Sequence, residues 1–126
     1  MMRVNRFIIE KTKTGYSAYC FDKPIYTTGQ TIHELQLNVL EALNLYFEEL
    51  GKIATSKDIE LELDFKQFFD YYKVINAKHL AGRIGMNETL LSQYVNGIKK
   101  PSRKQVNRIV EGLHEIGREL MELTLV

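Results

Sequence analysis

Between Lys78 and Arg108 the sequence holds seven cations (Lys78, Arg83, Lys99, Lys100, Arg103, Lys104 and Arg108) against a single acid, Glu88. Such a local imbalance suits a polyanion, because each cationic side chain that meets a phosphate releases a condensed counterion. The alternative is a solvated helical face that needs no ligand. Short polar residues, Asn87, Thr89, Ser92 and Gln93, fill the stretch between Arg83 and Lys99. A glutamine amide can pair with an adenine edge through two hydrogen bonds, and a serine or threonine hydroxyl can bond bases or phosphates.

Other reactive types are scattered. His33, His79 and His114 fall on three different expected helices without a second ligand at i+4, so surface or packing roles are expected rather than metal ligation. Cys20 is the only cysteine. It excludes an intrachain disulfide and a cysteine-based zinc site, and its strand aromatics suggest a buried thiol. No phosphate-binding glycine loop or serine-hydrolase motif is present. Neither a catalytic residue, a metal nor a cofactor is expected.

The 126 residues, 44% hydrophobic and 26% charged, fit one ordinary domain or two small ones. The net charge of +1 conceals two halves of opposite sign. Residues 1–64 carry seven basic and ten acidic residues, a net −3, whereas residues 65–126 carry ten and six, a net +4. The second half is therefore the one expected to meet a polyanion. No apolar run is long enough for a signal peptide or for the roughly 18 residues of a membrane span, so a soluble cytoplasmic protein with no membrane partner is expected.

The elements that must position these residues can be read from patterning. Val4 to Lys11 and Tyr16 to Phe21 read as a hairpin around Thr14-Gly15, and Ile25 to Thr28 as a third strand after the Asp22-Lys23-Pro24 break. Thr31 and Glu34 form a capping box for a long helix. Its expected buried face is Ile32, Leu35, Val39, Leu43, Tyr46 and Leu50, widened by Leu37, Leu40 and Phe47, with Gly51 as the stop. Asp58 to Asp64 alternates strictly, with Ile59, Leu61 and Leu63 inward. Glu60 and Glu62 then form a solvated strand face or meet a basic partner. A β-β-β-α-β domain over 1–64 is thus followed by an all-α domain over 65–126, an α+β chain. In the second, Asp64 to Gln67 and Ser102 to Gln105 are further capping boxes. Helices are expected from Asp64 through Tyr72, over Asn76 to Ile84, over Asn87 to Asn96, and from Ser102 onward.

Two helices of about nine residues joined at Gly85-Met86 have the proportions of a helix-turn-helix, with an ordinary helical hairpin as the alternative. Leu80, Ala81 and Ile84 would pack against Met86, Leu91 and Val95, leaving Glu88, Thr89, Ser92 and Gln93 outward. Leu80-Ala81, Gly85, Leu91-Ser92 and Asn96-Gly97, followed by Lys99-Lys100-Pro101-Ser102, resemble the helix-turn-helix of the Cro and phage-repressor family over about Asn76 to Leu113. The resemblance implies base reading by Asn87, Glu88, Thr89, Ser92 and Gln93. Lys99 and Lys100 would then contact the DNA backbone, with Arg103 close by.

The first half resembles the HicB antitoxin domain, a degenerate RNase H-like fold, through Gly15-Tyr16-Ser17-Ala18-Tyr19, Asp22, Pro24, and Gly29-x-Thr31-x-x-Glu34 running into Asn38, Glu41-Ala42-Leu43 and Tyr46. The resemblance implies an antitoxin that neutralises a small basic HicA-type ribonuclease toxin and represses its own operon through double-stranded operator DNA. A stand-alone regulator whose first domain binds another partner is the alternative. An RNase H-like enzyme is not expected, because the middle of the first strand, Phe7-Ile8-Ile9, lacks the acids that would hold divalent ions. Finally, Val106, Ile109, Leu113, Ile116, Leu120 and Leu123 follow a 3-4-3-4-3 spacing. Its later members are expected to form a contact in a homodimer or higher even-numbered oligomer; the alternative is packing back onto the first domain.

Overall fold

The first strand sets the architecture, since its alternation sends Phe7 and Ile9 to one face and Arg6, Ile8 and Glu10 to the other. In a computed structural model, which describes residues 3–125, the chain is α+β, with a four-stranded mixed sheet and five α-helices. β1 (Asn5–Thr12), β2 (Gly15–Cys20) and β3 (Tyr26–Gly29) form an antiparallel meander. α1 (Ile32–Phe47) then returns the chain to β4 (Ile59–Leu63), which joins β1 in parallel, giving the order β3-β2-β1-β4. The chain divides into two compact units between Phe68 and Phe69.

In unit 1 the core is made by Phe7, Ile9, Ala18 and Cys20 of the sheet and by Leu35, Val39, Leu43 and Phe47 of α1. These four helical positions recur every four residues, and each fully buried aliphatic or aromatic side chain contributes about 1.5–3 kcal/mol. The expected face was broader. Ile32, Leu37 and Tyr46 are exposed instead, off the stripe that recurs every four residues, and Leu50 is exposed because the α-helix stops at Phe47 and a 3-10 turn (Glu48–Leu50) carries the chain to Gly51. Inside β1, Asn5 is a buried polar residue whose amide donates to the carbonyls of Arg3 and Asp58, so the starts of β1 and β4 are tied together. Thr31 accepts the Glu34 N–H as its cap.

The division between the two units falls within α2 (Phe65–Tyr71). Asp64 accepts the Gln67 N–H, as a capping residue should. The Gln67 amide, however, turns away to the backbone of Lys11, accepting from its N–H and donating to its carbonyl at 2.8 Å each. Two bonds to β1 replace the reciprocal half of the box.

Unit 2 contains α3 (Ala77–Ile84), α4 (Glu88–Val95) and α5 (Arg103–Met121). Asn76, Asn87 and Ser102 cap their first turns by accepting the N–H three residues on. Leu80, Ala81, Met86, Leu91, Tyr94 and Ile109 are buried. Gln105 departs from the expected box as Gln67 does: its side-chain oxygen accepts from Arg108.

Candidate nucleic-acid interface

Gly85 ends α3 in the left-handed conformation (φ 66°), which a residue with a Cβ adopts only with strain. The Met86 N–H reaches back to the Ala81 carbonyl at 3.0 Å, and Met86 itself is buried, so the turn into α4 is anchored from inside. α5 reinforces the same corner. Arg108 donates through Nη2 to the carbonyls of Ile84 and Gly85, at 2.7 and 3.0 Å, and through Nη1 to Gln105. A cation on the last carbonyls of a helix also opposes the helix dipole favourably. Four α-helical residues farther along α5, Gly112 is buried against α3.

The front of α4 is therefore held by its neighbours. Glu88, Thr89 and Ser92 are exposed and Gln93 is half-buried. Asn87 is exposed too, but its side-chain oxygen is the α4 cap. Glu88 lies 3.8 Å from Lys78, an exposed pair that contributes little and leaves the carboxylate available for rearrangement. Ser92 Oγ accepts from Asn96 Nδ2 at 3.1 Å. Asn96, which the sequence marks as part of the helix-turn-helix pattern with Gly97 but not as a site residue, thus belongs to this surface.

Beyond α4 the chain turns at Gly97, where the Ile98 and Lys99 N–H groups both donate to the Gln93 carbonyl. Lys99, Lys100, Arg103 and Lys104 are exposed over this loop and the first turn of α5. Only part of the seven-cation cluster is of this kind. Arg108 is committed to α3, and Arg83 bonds Glu115 and Glu119 of α5, the bond to Glu119 first among the causes that raise its pKa. The basic surface is consequently narrower than the run of charges in the sequence.

Val95 was expected in the core of this unit. Tyr94 is buried there instead and Val95 is half-buried, a shift of one residue around the helix. In the α5 stripe, Ile109 is buried, Val106, Leu113 and Ile116 are half-buried, and Leu120 is 66% exposed. Leu123, 67% exposed, lies past the end of the helix at Met121, so the heptad-like spacing does not continue as a helix through it.

No protein-family model and no curated protein matches the chain. Among the described residues, no three His, Cys, Asp or Glu side chains are grouped to hold a metal ion, and no helix is long and apolar enough to cross a membrane. Cys20 is buried, with its Sγ 3.4 Å from Asp22.

Proposed function

We propose that the chain is a transcriptional regulator whose unit 2 binds duplex DNA as a helix-turn-helix, with α4 in the major groove. One observation carries this reading: α4 presents Glu88, Thr89 and Ser92 at its exposed front, and Lys99, Lys100, Arg103 and Lys104 are exposed just beyond its other end. Short polar side chains are of the kind that reach base edges, while flanking cations neutralise phosphates without reading sequence. Gln93, half-buried on α4, is the reader for adenine. Asn87, whose side-chain oxygen caps the helix start, presents its amide nitrogen to a base.

For unit 1 we propose a degenerate RNase H-like domain of the HicB antitoxin type, which binds and neutralises a small basic ribonuclease. The β-β-β-α-β order with β4 parallel to β1 is compatible with it, and the net charge of −3 over residues 1–64 favours a basic partner. Together the two roles describe an autoregulating antitoxin that acts as a dimer on operator DNA. A stand-alone regulator differs only in what unit 1 binds.

Selection of duplexes from a random pool tests the DNA reading. A near-palindrome with half-sites about 34 Å apart is expected if two subunits use one face of the DNA. Gln93→Ala should then lose roughly 1–3 kcal/mol on the selected duplex and little on random DNA. A wild-type protein that enriches no sequence would overturn the assignment of α4.

A further inference from the structure

β4 is the last strand of the sheet: β1 pairs along one side and, among the described residues, no strand pairs along the other. A sheet edge offers its backbone as a template to an extended chain. Beside β4 lies an open groove of about 300 Å³, lined chiefly by Leu37 and Leu40 of α1 and by Ile59 and Leu61 of β4. Leu37 is 56% exposed there. A fifth strand along β4 would place every second side chain over this apolar floor.

The acidic row of β4 decides what such a strand can be. Positions 58, 60, 62 and 64 are Asp, Glu, Glu and Asp, while 59, 61 and 63 are Ile, Leu and Leu. A second copy of β4, paired antiparallel with its apolar side kept on the core face, must set even positions opposite even positions. Each such register near the strand centre places carboxylate against carboxylate. Either Glu60 faces Glu62, or Glu60 faces itself with Glu62 against Asp58, or Glu62 faces itself with Glu60 against Asp64. Like charges directly opposite destabilise a strand pair, so self-pairing is disfavoured. The carboxylates have local roles as well: Asp58 accepts the Thr55 N–H, Asp64 caps α2, and Glu62 lies 3.6 Å from Arg6. Exposed Glu60 stands at the middle of the row.

We propose that the outer edge of β4 receives an extended segment of a basic protein, a fifth strand with Lys or Arg opposite the acidic row and apolar side chains over the Leu37 and Leu61 groove. This rests on the reading of unit 1 as the partner-binding part and names where and how the partner engages it.

The chain contains no tryptophan, so a peptide carrying one reports its own binding by fluorescence. The probe is a synthetic eight-residue peptide, an N-terminal Trp followed by alternating Lys and Val, titrated into the full-length protein. Saturable binding is expected, weakened roughly two- to tenfold by Glu60→Lys, as for reversal of one cross-strand charge pair. Methylating the backbone nitrogens that face β4 should abolish binding, whereas methylating those on the opposite edge should not. Equal binding of both methylated peptides would reduce the interaction to charge attraction and overturn strand addition. No binding at all would mean that the acidic row only keeps strands apart. The underlying reading is tested separately, by co-expressing the chain with the product of the neighbouring reading frame and assaying inhibition of ribonuclease activity. An unaltered chain that fails to inhibit sinks that reading whatever the peptide does, and inhibition that is unchanged in Glu60→Lys sinks the β4 site alone.

Discussion

Gly112 of α5 faces Ile84 of α3 so closely that a Cβ on the glycine would lie 2.4 Å from Ile84 Cγ2, with Leu80 Cδ1 at 3.3 Å. Glycine is normally a poor helix residue, about 0.8–1.0 kcal/mol worse than alanine. Here the missing side chain lets two helices meet. Gly112→Ala should therefore be net destabilising, by up to about 2 kcal/mol, because the Cβ meets the branched Ile84 side chain and overpacking of roughly 1–3 kcal/mol exceeds the propensity gain. Gly117, five positions on in the same helix, has nothing within 4 Å of its would-be Cβ. Gly117→Ala should stabilise by about 0.5–1 kcal/mol. Urea midpoints that move in the same direction for both variants would contradict this packing.

Arg108 and Lys99 are both cations of the basic stretch, but they should separate cleanly. Arg108→Met removes two bonds to the end of α3 and should lower stability by about 1–2 kcal/mol, with the salt dependence of DNA binding unchanged. Lys99→Ala should leave stability alone, weaken all duplexes alike and reduce the salt slope by about one unit per subunit. Denaturation paired with titrations at several salt concentrations distinguishes them.

The exposed end of α5 and the residues after it should hold the dimer together. Leu120, Met121, Leu123 and Leu125 are all exposed in the single chain. Replacing Leu120 and Leu123 by Glu should yield monomers in sedimentation velocity, with weaker operator binding as a result. A dimer of unchanged mass would move the interface elsewhere.

Asp22 should titrate below an ordinary carboxylate, chiefly because Lys23 donates to it at 3.2 Å and secondarily through the Cys20 thiol. A depressed folded-state pKa means that its contribution to stability is present above the ordinary value near 3.9 and disappears as pH falls through the lower one. Carbon-detected NMR should show the Asp22 midpoint rising in Lys23→Met. An unmoved midpoint would assign the shift to another neighbour.

Much of this arrangement is visible in local pattern. The caps at Thr31 and Ser102, the helix starts at Asn76 and Asn87, the turn at Gly85 and the alternation of β4 all depend on residues within a few positions of one another. What local pattern misses are choices settled by distant chain. Periodicity located α4 but not its rotation, so Tyr94 took the buried place expected for Val95. Gln67 and Gln105 carry the signature of a capping box, yet Lys11 and Arg108 compete successfully for their amides. Nothing adjacent in sequence announces that Gly112 will meet Ile84. The narrowing of the basic surface has the same origin, since the acids that engage Arg83 lie on a different helix.

The parallel pairing of β1 with β4 also governs when the protein can fold. Asn5 must wait for Ile59, and at about 5–20 residues per second the ribosome takes roughly 3–10 s to supply the intervening chain. During that interval β2 already covers one side of β1 by local hairpin formation, while the other side stands open to strands of any nascent neighbour. The open side of β1 is thus a hazard confined to the time of synthesis, one that the stability of the finished molecule does nothing to relieve.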